Sequence, residues 1–140
     1  MIKRKQYVVG FLFRDKKEVA LVQKTHPAWQ RGKLNGVGGG IEGDETPLEA
    51  MRREFLEEAG VDVQDWREYA LMHEKECDVY FFVAHGDYTI ESKTEEKVAW
   101  YKLTDIKALP IINNLDWLIP LALDDKASYS TIDYVQNKNA

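Results

Sequence analysis

The segment that most restricts the fold is residues 35–43, where five of nine positions are glycine: Gly36, Gly38, Gly39, Gly40 and Gly43. Glycine loses more conformational freedom on folding than any other residue. So dense a cluster is kept where a backbone turns sharply or comes very close to something. An irregular hairpin and a ligand-contacting loop both satisfy that condition. Directly after it, Thr46-Pro47-Leu48-Glu49 reads as a helix start. Thr46 is a good N-cap, Pro47 suits the first helical position, and Glu49 completes a capping box. The spacing predicts a helix over Pro47–Ala59 with Gly60 as its stop. Leu48, Met51, Phe55 and Ala59 recur at three- and four-residue steps and form its expected buried face.

Strand signals surround this helix. Residues 7–13 (YVVGFLF) form a short apolar run rich in aromatic and β-branched side chains, which predicts a buried strand. Residues 14–17 are polar and turn-like. Residues 18–23, with Val19 and Leu21 alternating against Ala20 and Val22, are expected to pair back as a hairpin. Pro27 and Gly32 mark 25–33 as a loop. Residues 69–73, 79–84 and 98–103 read as further strands, the second almost wholly apolar and therefore central. Asn114 is placed to cap a final helix through Leu123, which Pro120 is expected to kink or end early. Residues 125–140 are polar apart from Ile132, Tyr134 and Val135, and form either an edge strand or a frayed tail. Together these elements predict one α/β domain over residues 1–140.

Charge and cysteine content narrow the setting. With 24 acidic and 19 basic side chains the net charge is −5, a poor surface for long nucleic acid. Small anionic ligands stay open, because a bound divalent cation inverts the local field. The single Cys77 cannot form an internal disulfide. The start is basic and then apolar, but Arg14, Asp15, Lys16 and Lys17 stand where a signal peptide would carry small residues. No apolar run approaches the ~20 residues of a membrane helix. The expectation is a cytoplasmic monomer or homodimer that binds no membrane.

The polar face of the first helix carries the chemistry. Glu54, Glu57 and Glu58 stand at i, i+3 and i+4, so their side chains converge. Like charges at this spacing repel, and the C-terminal half of a helix disfavours anions. A solvated acidic face balanced by Arg52 and Arg53 is one resolution. A divalent cation is the other, since Mg2+ takes oxygen ligands and bridges carboxylates to phosphates.

Gly39, Glu45, Arg53-Glu54-Phe55, Glu57-Glu58 and Gly60-Val61, in this spacing, resemble the Nudix box, with Phe55 where a smaller aliphatic residue is commoner. The resemblance covers about a sixth of the chain. It implies a mixed β-sheet sandwiched between α-helices and Mg2+-dependent hydrolysis (Mn2+ as an alternative) of a nucleoside diphosphate linked to a further group. Carried over residue by residue, it implies that Glu54, Glu57 and Glu58 bind the metal with a backbone carbonyl of Gly38 or Gly39. It makes Glu54 a candidate to activate water, Glu45 one to orient that water, and Arg53 the group that holds a box glutamate. A distal acid often completes the metal site in this family. Glu95 and Glu96 are the candidates, Glu95 preferred from its distance to Trp100.

The segment Gly32-Lys33-Leu34-Asn35-Gly36 resembles the stretch before the box in MutT-type hydrolases of oxidised purine triphosphates, which implies a base contact for Asn35. Asn35 serving only its own loop is the alternative. Similarity to the animal-type enzymes points to Asn113 or Asn114 as reader of a base edge, although Asn114 is equally a routine N-cap. Trp117 is a candidate to stack on a base, or a core residue. The expected substrate is a nucleoside triphosphate, oxidised or not, cleaved to monophosphate and pyrophosphate. A dinucleotide, ADP-ribose or an RNA 5′ cap are alternatives, as is a sensor that binds nucleotide without cleaving it.

Overall fold

A computed structural model describes residues 4–135. Its strands are β1 (Lys5–Arg14), β2 (Glu18–Gln23), β3 (Leu34–Asn35), β4 (Val37–Gly40), β5 (Arg67–His73), β6 (Cys77–His85), β7 (Val98–Lys102) and β8 (Ser130–Asp133). Two α-helices accompany them, α1 (Pro47–Ala59) and α2 (Leu115–Leu123), with short 3-10 segments at Ala28–Gln30 and Leu103–Ala108.

All eight strands join one mixed sheet organised around β1. On one side β1 runs parallel to β6, from Lys5 beside Cys77 to Phe13 beside His85. On the other side it has two antiparallel partners in succession. Its first half pairs with β4, from Tyr7–Gly40 to Gly10–Val37, and its end pairs with β2, from Leu12–Ala20 to Arg14–Glu18. The β1–β2 hairpin closes as expected, through Asp15 and Lys16 at positive φ. From there β2 passes on to β7 and β3. On the far side β6 pairs with β5, and β5 runs parallel to β8 at the edge. The expected edge strand thus forms over Ser130–Asp133, while residues 136–140 lie outside the described residues.

Each face of the sheet is covered by one helix, because the inner strands are apolar on both sides. Phe11, Phe13, Val19, Leu21 and Phe81 pack with Leu115, Leu118, Ile119 and Ala122 of α2. Val8, Leu12, Ala20, Val22 and Phe82 pack with Ala50, Met51, Phe55 and Ala59 of α1. Phe55 stands edge-on to Trp66 with ring centroids 5.3 Å apart.

Helix α1 has the expected bounds, with both hydrogen bonds of the Thr46–Glu49 capping box and Gly60 in the left-handed conformation at φ 77°. Its buried face differs at its start: Ala50 is buried and Leu48 is 41% exposed. Leu48 shares the first turn with the fully buried Ala50, so the difference is one of helix face: the sheet takes the Ala50 and Met51 side and leaves Leu48 at the margin. In α2, Pro120 does not end the helix, which runs on to Leu123. The packing of Leu118, Ile119 and Ala122 outweighs the one hydrogen bond that proline removes. Among the described residues, no helix is long and apolar enough to cross a membrane.

The burial pattern sets an expected contrast on α1. Phe55→Ala should cost ~3–5 kcal/mol, the range for a large core truncation. Leu48→Ala should stay within about 0.5 kcal/mol, as surface changes do. Urea unfolding of both variants measures the difference.

Candidate active site

The glycine segment is a strand before it is a loop. Gly38–Gly40 are hydrogen-bonded to β1, and this brings β4 beneath α1. The approach requires glycine at Gly38, where a Cβ would stand 1.9 Å from the Val8 carbonyl oxygen. A Cβ at Gly39 would stand 2.5–2.6 Å from the Glu54 carboxylate, whereas one at Gly40 would meet nothing within 4 Å.

Arg53 binds this assembly together. Its Nε donates to Glu45 Oε2 at 2.6 Å and its Nη2 to Glu45 Oε1 at 2.9 Å. Nη2 also donates to the Gly40 carbonyl at 2.9 Å. Nη1 donates to Glu54 Oε1 at 2.9 Å and to Glu57 Oε2 at 3.3 Å. The Arg53 guanidinium and the Glu42 N–H hold the Glu45 carboxyl below the ordinary carboxylate range. Glu45, expected to orient a water, gives both oxygens to Arg53 and one of them also to the Glu42 N–H at 2.9 Å.

The other two carboxylates are shifted the opposite way. Burial raises the pKa of Glu54, and Arg53 opposes that rise. Glu58 is only 7% exposed, and its Oε2 is buried with no hydrogen-bond partner. Burial pushes it up to about 7, with Lys24 opposing and Glu54 and Glu96 adding to the rise. A buried, unpartnered carboxylate oxygen is costly unless something binds it.

Of the two distal candidates, Glu96 is the buried one, 5% exposed. It accepts from Lys24 Nζ at 3.1 Å, the Thr25 N–H at 2.7 Å and Thr25 Oγ1 at 3.0 Å. Burial would raise its pKa, but the Thr25 and Lys24 donors outweigh that and hold it low. Glu95 is exposed on the same turn and lines the same cleft. Lys24 was not foreseen, because a single lysine after a strand carries no sequence signal. Only the sheet brings it beside Glu96.

Of these groups, Lys24, Glu54, Glu57, Glu58, Glu95 and Glu96 line a cleft of about 720 Å³. Its remaining wall includes the apolar side chains of Val9, Trp29, Met72, Val79 and Phe81. Asn114 lies in this wall, 7% exposed. It occupies the N-cap position of α2 in helical geometry, and its side chain makes no capping bond. Asn35 also lines the cleft, but its Nδ2 donates to Gln30 Oε1 at 3.1 Å and its Oδ1 accepts from the Gly36 N–H at 2.8 Å. Two expected substrate contacts fall elsewhere. Asn113 is exposed and outside the cleft lining. Trp117 packs against Tyr134, 5.9 Å between ring centroids, also away from the cleft. Asn113 and Asn114 are neighbours in the turn before α2, and the chain buries one and exposes the other.

Among the described residues, no group of three or more His, Cys, Asp or Glu side chains is already drawn into a metal-holding arrangement. The donor set nonetheless fits a hard divalent cation. It is all oxygen, it includes the orphaned Glu58 Oε2, and the bare Cα of Gly39 leaves room for Glu54 beside β4.

A mixed sheet between two helices, with a carboxylate-bearing helix set on a glycine strand beside a cleft, defines an α/β protein with an acidic cleft. The NUDIX domain profile matches residues 3–120, and the chain belongs to that family. It is 35% identical over 63 residues to the 8-oxo-dGTP diphosphatase of Escherichia coli (strain K12), a match covering 45% of this chain. That match spans about half (49%) of the length of the relative. Among solved structures it resembles a NUDIX hydrolase from Nitrosomonas europaea, with TM-score 0.79 and 20% identity, covering 97% of this chain and 81% of the other. It also resembles the NUDIX domain of Shewanella oneidensis NrtR complexed with ADP ribose, with TM-score 0.77 and 21% identity, covering 88% of each chain. At these identities the two structures establish the shared fold.

The raised Glu58 has a signed consequence. A carboxyl whose folded pKa lies above its unfolded value stabilises most at low pH, and the stability is lost as pH rises toward about 7. The metal-free protein should therefore lose up to about 3 kcal/mol from this group between pH 4.5 and pH 8. Divalent cation should raise Tm more at pH 8 than at pH 5.5, and Glu58→Gln should flatten the metal-free profile. Gly39→Ala should abolish the cation-dependent rise and Gly40→Ala should keep it, both read by thermal melts with and without Mg2+.

Proposed function

We propose that this protein hydrolyses a nucleoside triphosphate to the monophosphate and pyrophosphate with the help of a divalent cation, Mg2+ by preference. The observation that carries the reading is the unpartnered, buried Glu58 oxygen beside Glu54 in a cleft that also offers the apolar side chains of Val9, Trp29, Met72, Val79 and Phe81. Such a cleft suits an anionic chain joined to a flat base. Glu54, Glu57 and Glu58 would hold the cation, with a carbonyl of Gly38 or Gly39 and a carboxylate from Glu95 or Glu96. Bound there, it supplies neutralisation of phosphate oxygens and acidification of water.

The chain's own residues divide the remaining work. Glu54 receives the proton of the attacking water. Burial makes it a stronger base than a free carboxylate, and Arg53 engages Oε1, leaving Oε2 for that proton. Glu45 acts by fixing Arg53, and Arg53 by fixing Glu54 and the Gly40 carbonyl. Asn114 presents its amide to a base edge, offering both a donor and an acceptor. Trp29 and Phe81 supply apolar wall for the base, and Asn35 shapes the loop beside it. The similarity to the E. coli 8-oxo-dGTP diphosphatase supports a purine triphosphate, oxidised or not. A second reading, cleavage of ADP-ribose, draws on the fold shared with the NrtR domain that binds it.

A product-resolved hydrolysis screen with Mg2+ over ordinary and oxidised triphosphates, ADP-ribose, a diadenosine polyphosphate and a capped dinucleotide tests both. One triphosphate should dominate, giving monophosphate and pyrophosphate. Glu54→Gln should lower kcat by roughly 10²–10⁴, the usual worth of a general base. Asn114→Ala should compress the discrimination between bases more than it lowers kcat on the best one. Tight nucleotide binding without cleavage would replace the hydrolase reading by a sensor.

A further inference from the structure

A wall of the cleft contributed by elements other than α1 is a tight turn between β5 and β6. The Glu74 N–H donates to the Cys77 carbonyl at 2.9 Å, and Glu74, Glu76 and Cys77 all line the cleft together with Lys5. A tight turn at the end of two strands is ordinarily among the first parts of a sheet to open. Here it is gripped from behind. Arg4 Nη1 donates to the Lys75 carbonyl at 3.2 Å, and Nη2 donates to the carbonyls of Glu74 and of Cys77, the latter at 2.9 Å. Arg4 Nε donates to Asp78 Oδ1 at 3.0 Å. Asp78 is 9% exposed and is also bonded to His73 Nδ1 at 2.7 Å, so the anchor itself is fixed across the two strands. The Lys5 N–H adds a bond to the Glu76 carbonyl at 3.2 Å. Arg4 belongs to a separate hollow on the other side of the turn and does not line the cleft.

We propose that Arg4 is a positioning residue for the substrate cleft: its guanidinium gathers three carbonyls of the 74–77 turn and the Asp78 carboxylate, and so sets the wall against which the ligand rests. The geometry is specific to arginine. A planar fork with five donors reaches four acceptors at once, whereas the lysine ammonium is a point charge with three donors. The proposal rests on the nucleotide reading only for the identity of the ligand.

Two readouts test it in the full chain, on Arg4→Ala and on the charge-conserving Arg4→Lys. In hydrogen exchange, the amides of residues 74–78 should exchange about tenfold faster in both variants, with those of α1 unchanged. In kinetics, KM for the best triphosphate should rise about three- to tenfold, with kcat within about twofold of the wild type. Rescue by lysine, unaltered exchange at 74–78, or an unaltered KM would overturn the proposal. So would acceleration spread evenly over the whole sheet, which marks Arg4 as a general stabiliser. If the wild type cleaves no nucleotide, the hydrolase reading falls on that result alone, and the exchange arm still decides whether Arg4 clamps the turn.

Discussion

The arrangement depends on one guanidinium. Arg53 projects from the middle of α1 and reaches a carbonyl of β4, a glutamate of the connecting loop and two glutamates of its own helix. Without that cation the helix would present three carboxylates at one-turn spacing near its negative end, next to a strand carbonyl. With it, the loop, the strand edge and the helix face become a single unit. The planar fork matters as much as the charge, since Glu45 is held through both oxygens while the remaining donors reach elsewhere. Arg53 leaves Glu58 unattended, so the site is compensated at its rim and uncompensated at its buried centre.

That imbalance has a place to act because β1 divides its pairing. Its first half is taken by β4 and its end by β2, so the sheet parts beside the glycine segment and the cleft opens there. Helix α2 covers the same face further along but leaves the first half of β1 bare, where Val9 joins Val79 and Phe81 as wall. The rigid elements carry the α1 carboxylates. The rest of the cleft is assembled from the loop before β3, the start of α2 and the strands β5 and β6. Its shape therefore depends on contacts far apart in the chain, such as Glu96 with Thr25 and Arg4 with the 74–77 turn.

Local chemistry made much of this legible. The Thr46–Glu49 box and Gly60 set both ends of α1, because capping is decided within four residues. The apolar runs identified the inner strands, because a strand buried on both faces leaves no polar alternation to misread. The glycine segment read as a loop or hairpin is instead a short strand on β1. Glycine carries no strand propensity, and the close approach of the Val8 backbone to Gly38 and of Glu54 to Gly39 explains its use. Leu48 read as core by its period, yet the sheet takes the side of the first turn that carries Ala50.

The sequence by itself determined the class of fold, the capped helix and the glutamate face it displays, since these follow from propensity, periodicity and spacing over a few turns. Tertiary structure alone decided which polar groups face the cleft. It buried Glu96 under Lys24 and Thr25 and left Glu95 exposed, turned Asn114 inward and Asn113 outward, and gave Trp117 to Tyr134. The reason is geometric: neighbours in sequence point in different directions. Which of them meets the site is set by the rotation and packing of whole elements, not by the residues' own preferences.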